Sequence, residues 1–188
     1  MINLCLYKEY LIVLCSTIFL FCGCSVSKQE DLSNYTVDTV YTVELLQSVT
    51  TEFINYKGYT AEKRLVSIDI SAFEEASTEK YEEWLQEAYA DDNTVIVVFK
   101  DKNEIFKSHN EAKDYLSQSG HDDFLESRYD WTSIKISRKS DNEAIHKSEV
   151  LNIDISYPLI MAVQGFEVLL EFDDEAWKVV EVNSTYIS

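Results

Sequence analysis

The sequence predicts an α+β fold: an N-terminal helix and a β-α-β-α segment packed on a C-terminal antiparallel meander of about four strands. Three observations predict it. Apolar residues recur at helical spacing in residues 45–56. Residues 65–120 switch between strand-like and helix-like stretches. From residue 132 onward, nearly every stretch alternates apolar with polar side chains at a period of two.

The elements follow in order. In residues 37–57, Leu45, Val49, Phe53 and Tyr56 share a helical face, although Val37, Thr39, Tyr41 and Val43 also alternate as a strand would. Helix is the better reading, with Gly58 placed as its C-terminal cap. Residues 65–71 form a half-buried strand, with Val66, Ile68 and Ile70 set against Ser67, Asp69 and Ser71. Ser77 caps a helix that carries Glu79 in its first turn and an apolar stripe of Tyr81, Trp84, Leu85 and Ala88. Asp91, Asp92 and Asn93 then turn the chain. Thr94–Phe99 is a continuous β-branched run, as in a buried strand. Residues 110–119 form a short helix, capped by Asn110 and ended at Gly120.

Beyond it lie strands. Ile134 and Ile136 share a face within residues 132–138. Residues 140–142 turn, and residues 144–157 alternate clearly, with Leu151, Ile153, Ile155 and Tyr157 facing one way and Asn152 and Asp154 the other. Pro158 interrupts pairing, and residues 159–163 continue the strand after a bulge. Phe166, Val168, Leu170 and Phe172 mark the next strand. Asp173, Asp174 and Glu175 turn into a last one, residues 177–186.

The chain has 188 residues, 46% hydrophobic, with four glycines and one proline. That suits one folded domain and excludes collagen-like, linker-rich and low-complexity classes. A net charge of −18 repels phosphate backbones and anionic headgroups, so nucleic acid is excluded as a partner.

All four cysteines (Cys5, Cys15, Cys22, Cys24) fall in the first 24 residues. There, residues 11–22 are almost wholly apolar and are followed by Gly23 and Cys24, on the plan of a secretion signal. Residues 11–26 span roughly 24 Å as a helix, short of a bilayer core of about 30 Å. Phe21-Cys22-Gly23-Cys24 resembles a lipobox, the site read by lipoprotein signal peptidase, with Phe21 standing where an aliphatic residue is usual. The resemblance implies removal of residues 1–23 and a diacylglyceryl anchor on Cys24, whose two chains hold a protein stably where one is marginal. Residues 24–36 then form a lipidated tether and residues 37–188 a single α+β domain. The implied address is the extracytoplasmic face of the cell membrane, or the outer membrane in a diderm cell. After cleavage the one remaining thiol is acylated, which removes disulfides, Cys nucleophiles and Cys-based zinc sites.

Two further resemblances concern the body. Gly165-Phe166-Glu167-Val168-Leu169-Leu170, the acidic turn and Trp177-Lys178-Val179-Val180 resemble the closing hairpin of the NTF2-like (cystatin-like) superfamily, over about residues 145–188. That family implies a leading helix packed into a bent antiparallel sheet; residues 65–120 depart from it. The polar tether, early helix, Val66-Ser67-Ile68-Asp69-Ile70-Ser71 and the Tyr186-Ile187-Ser188 end resemble small surface lipoproteins of Gram-positive bacteria.

No residue set reads as catalytic, and no cofactor or metal is expected. His121-Asp122-Asp123 reads as a solvated loop rather than a metal site, because no second His or Cys stands at ligand spacing; His109 and His146 are isolated. Glu74-Glu75, Asp91-Asp92 and Asp173-Asp174-Glu175 read as turn residues rather than glycosidase pairs. Trp84 and Trp177 fit apolar faces, whereas Trp131 is the tryptophan most open to a surface role. The expected function is a non-catalytic module that binds an extracellular ligand or protein in a concave mouth of the sheet. The alternatives are a cell-surface hydrolase with dispersed catalytic residues and an acidic decoy or immunity protein that binds basic peptides.

Overall fold

The computed structural model describes residues 37–55, 61–74, 76–139, 148–173 and 175–188, with side chains from residue 41 onward. The leader, the tether, the Gly58 cap, Tyr56, His146 and the turn at residues 140–142 lie outside them. The described residues form an α+β fold of four helices and one six-stranded mixed sheet. The elements are α1 (Val37–Phe53), β1 (Lys63–Asp69), α2 (Thr78–Tyr89), β2 (Thr94–Phe99), α3 (His109–Gln118), α4 (Asp122–Glu126), β3 (Tyr129–Arg138), β4 (Ser148–Tyr157), β5 (Ala162–Phe172) and β6 (Trp177–Ile187).

The strand order is β2-β1-β3-β4-β5-β6. β1 pairs in parallel with both β2 and β3; the pairs β3–β4, β4–β5 and β5–β6 are antiparallel. The β-α-β-α segment is therefore not a layer laid on the meander. Its strands extend the same sheet, and Thr94–Phe99, buried as expected, stands at the edge of that sheet. The apolar run of β2 reflects helices on both of its faces, not neighbours on both of its sides.

Those faces are two separate cores. On one, Val43, Leu46, Val49 and Phe53 of α1 and Tyr81 and Leu85 of α2 pack on Val66, Ile68, Ile134, Ile136, Leu151, Ile153, Phe166 and Val168. On the other, Ala112 and Leu116 of α3 and Phe124 of α4 pack on Leu65, Val95, Val97, Phe99, Tyr129 and Trp131. The helical reading of residues 37–45 thus wins over the strand reading, because a helix lays Val43, Leu46 and Val49 on one apolar stripe. Ser48 Oγ ties α1 to β6 through the Trp177 carbonyl at 2.9 Å. Arg64 Nη2 donates to the Ile54 carbonyl at 2.7 Å, satisfying the C-terminal end of α1 with a cation.

Several local expectations change. The cap of α3 is Ser108, not Asn110: its Oγ accepts from Glu111 N at 3.3 Å, while the Glu111 carboxylate accepts from Lys107 N at 2.7 Å. This pairing is close to a capping box, in which a hydroxyl and a carboxylate three residues on satisfy donors at a helix start. Residues 158–161 are a turn rather than a resumed strand, closed by Ile160 N to the Tyr157 carbonyl at 3.0 Å, and β5 begins at Ala162. Met161 lies there at φ 55°, a left-handed conformation that costs a side-chain-bearing residue about 1–2 kcal/mol. β6 carries two register shifts against β5, which leave Val180 and Thr185 unpaired. Gly165 is required by a close approach: a Cβ there would run into the Tyr186 ring, which crosses it to donate its hydroxyl to Asp154 Oδ1 at 2.7 Å.

Replacing Ser108 by alanine leaves the Glu111 amide without its acceptor. The expected cost is about 1 kcal/mol of unfolding free energy, seen as a lower midpoint in urea with an unchanged slope.

Candidate functional site

Among the described residues, a groove of about 580 Å³ runs along the outer edge of β2. Its floor is Ile96, Val97 and Val98. One wall is Glu79, Glu82, Glu83, Gln86 and Glu87 of α2, and Tyr115 of α3 closes the other side. The spacing explains the wall. With Tyr81 and Leu85 turned into the core, positions 79, 82, 83, 86 and 87 fall on an adjoining stripe of the same helix. Ser77 starts that helix as expected, its hydroxyl accepting from Lys80 N. Tyr81 is fixed from below by the Thr50 hydroxyl of α1, and Trp84 stacks on Tyr81 at 5.8 Å between ring centroids. Burial holds the Tyr81 phenol far above its usual range even with Thr50 bonded to it.

The backbone of the floor is available on one side. The Phe99 carbonyl accepts from Ile70 N, so it points toward β1. By the alternation of a parallel strand, the backbone groups of Ile96 and Val98 point outward. Gln86 Nε2 reaches over to the Ile96 carbonyl at 3.2 Å, marking where an outside donor would sit.

The electrostatics are one-signed. Four carboxylates line the groove and no Lys or Arg does. Burial, and then the neighbouring Glu79, push the Glu82 carboxyl above its ordinary range. Burial, and then Glu82, push the Tyr115 phenol upward as well, so groups from helices on opposite faces of the sheet feel one another around the β2 edge. Glu79 with Glu83, and Glu83 with Glu87, are like-charge i, i+4 pairs, each worth about 0.2–0.5 kcal/mol against an isolated helix.

The residues singled out in the sequence fall elsewhere. Asp122 and Asp123 sit not in a loop but in the first turn of α4: Asp122 accepts from Ser117 Oγ at 2.9 Å, and Asp123 pairs with Lys63. His121 packs edge-on against Phe124 at 5.7 Å. Among the described residues, no three His, Cys, Asp or Glu side chains gather as a metal site. His109 stacks on Tyr129, with its Nδ1 3.2 Å from the phenol oxygen; burial, then Lys113, lower its pKa. Trp131 is not a surface residue: it is buried beneath α3 and α4 and donates Nε1 to Ser67 Oγ at 3.0 Å. Asp91 and Asp173 are turn residues, accepting from Asn93 N and Ala176 N. The groove lies at the edge of the sheet. Its sequence signal was four glutamates at 79, 82, 83 and 87, a stripe visible only once α2 is placed beside β2.

No protein-family model matches the chain, and no curated protein is significantly similar to it in sequence. Among the described residues, no helix is long and apolar enough to cross a membrane.

Glu82 gives the groove a pH signature. A carboxyl with a raised pKa binds its proton more tightly in the fold than in the unfolded chain. Its ionisation therefore removes stability as pH rises from the ordinary carboxylate value, about 4.3, through the folded-state value. Glu82→Gln is expected to stabilise the protein at pH 7, with the gain shrinking to nothing by about pH 3, as read by urea unfolding across that range.

Proposed function

We propose that the chain is a membrane-anchored extracytoplasmic lipoprotein whose folded body is a non-catalytic binding module, and that the β2 groove takes an extended, basic segment of a protein or peptide. The observation that carries this reading is the lining of the groove: an open strand edge beneath four carboxylates with no cation among them. An exposed edge offers main-chain hydrogen bonds to any extended peptide, and the flanking side chains select among peptides. A strand added to β2 would send alternate side chains toward α2 and toward Tyr115. Lysines or arginines on the first set would meet Glu79, Glu82, Glu83 and Glu87, and apolar residues on the second would cover Tyr115.

The charge arrangement supports the same reading. Four glutamates crowded on one helix are a local cost to the free protein, and a cationic partner relieves it. The overall charge of −18 would draw such a partner toward the body from a distance. Within this proposal, the resemblance to the NTF2-like superfamily applies to about residues 145–188; β1, β2 and the groove lie outside it.

The binding test uses an eight-residue peptide alternating lysine with valine. It is expected to bind, and to bind more weakly as salt rises from 50 to 500 mM. Joint replacement of Glu79, Glu82, Glu83 and Glu87 by glutamine should raise its Kd roughly tenfold. N-methylation of alternate peptide amides should abolish binding, because it removes the strand-forming donors. Equal binding of a glutamate–valine peptide, or indifference to N-methylation, overturns the assignment.

The address is tested separately. Cells fed a palmitate analogue should label the wild-type chain, and Cys24→Ala should remove both the label and retention by the membrane. Equal labelling of the variant counts against the anchor.

A further inference from the structure

The outer edge of β2 is already partly occupied by the chain itself. Thr94, Ile96 and Val98 turn their backbone groups away from β1. The Thr94 amide donates to the Asp91 carbonyl at 3.1 Å, inside the turn that opens the strand. The Ile96 carbonyl accepts from Gln86 Nε2 at 3.2 Å. Val98 completes the row, and among the described residues no side chain bonds to its backbone.

The Gln86 contact has the chemistry of a strand pair. A carboxamide N–H and a peptide N–H are the same kind of donor, and this one meets a carbonyl on the side of the strand where the next strand's amide would stand. It satisfies an acceptor that an edge leaves open, and an edge left open pairs readily with other chains. The contact is also removable. Gln86 is exposed, so its side chain can turn into water while Tyr81 and Leu85 of the same helix stay packed in the core. A neutral bond of this kind is worth little net, because water takes each partner when it breaks.

The rest of the wall points to where a partner enters. The chain reverses between Tyr89 and Thr94, so earlier positions of α2 stand beside later positions of β2. Glu83 and Glu82 are three and four residues before Gln86, roughly 4.5–6 Å along the helix. Val98 is two residues after Ile96, about 6.6 Å along the strand. The unoccupied backbone thus lies beside carboxylates, and the occupied carbonyl beside the wall's one uncharged residue.

We propose that Gln86 is an autoinhibitory latch on the groove: it stands in for one main-chain donor of the partner, which docks first at Val98 and then displaces it from the Ile96 carbonyl. This rests on the reading of the groove as a strand-accepting site and adds its selectivity. A partner held by charge alone gains nothing from displacing Gln86. An extended segment replaces the carboxamide bond with its own and continues the sheet. Gln86 therefore sets a threshold that only strand-forming partners cross with gain.

The test uses the full chain and the lysine–valine octapeptide. Gln86→Ala should bind the peptide about fivefold more tightly than the wild type, and the gain should persist at 500 mM salt, because the bond removed is neutral. Gln86→Glu keeps the side chain's length but has no N–H at pH 7, so it should tighten binding as well. Replacing the peptide's amides by esters one at a time removes single donors without adding bulk. At one position, the one that meets Ile96, the ester should cost more in Gln86→Ala than in the wild type, where Gln86 returns to the vacated carbonyl. If the wild type binds but neither variant binds more tightly, the latch is overturned and the groove reading stands. An ester cost equal in both chains at every position overturns the latch too. Absence of binding by all three chains overturns the groove reading and the latch with it.

Discussion

Everything else in this fold follows from the parallel pairing of β1 on both of its sides. A chain that leaves β1, pairs β2 on one side and then returns to pair β3 on the other must cross the sheet twice, in opposite directions. Crossovers of one hand then put their helices on opposite faces, and parallel connections are overwhelmingly right-handed. That is why α2 belongs to one core and α3 and α4 to the other. It is also why β2, though outermost, is walled above and below. The groove is the lateral gap left between two helices that cannot lie on the same face, and its floor is the one side of β2 that no crossover covers.

Much of this was legible from residue spacing, and the failures have physical causes. The alternation of Leu151, Ile153, Ile155 and Tyr157 located β4 because that strand has one buried and one open face, the condition under which a period of two is clean. Ser77 announced α2 because a hydroxyl at that position satisfies an amide that nothing else reaches. The edge position of β2 was hidden because apolar content reports cover on the faces and says nothing about neighbours in the plane. Asn110 was mistaken for a cap because asparagine and serine serve that role about equally, and only the reach of Glu111 back to Lys107 N decides for Ser108. Trp131 was misjudged because its cover, α3 and α4, comes from a segment whose second helix is only five residues long and carries two aspartates.

The acidic residues divide into two populations that composition cannot separate. Asp91, Asp123 and Asp173 each satisfy a local amide or ammonium and hold a turn or a short helix in place. Among the glutamates of α2, Glu82 is pushed toward its neutral form by burial and by Glu79. The site was missed in the sequence because its glutamates, the adjacent Glu82 and Glu83 included, lie among aromatic and aliphatic residues of one helix and line a groove only once that helix stands beside β2.

The two ends of the sheet also differ in regularity. β2 keeps an unbroken register along all six of its residues, whereas β6 is interrupted by two extra residues, Val180 and Thr185, that bend its outer margin. Stacking copies of this sheet side by side into a fibre would need the outer margin of β6 in one molecule to mate with β2 of the next. A bent margin mates poorly with a straight one. A strand added at β2 would therefore find no matching next link at β6, so growth would stop after a single addition.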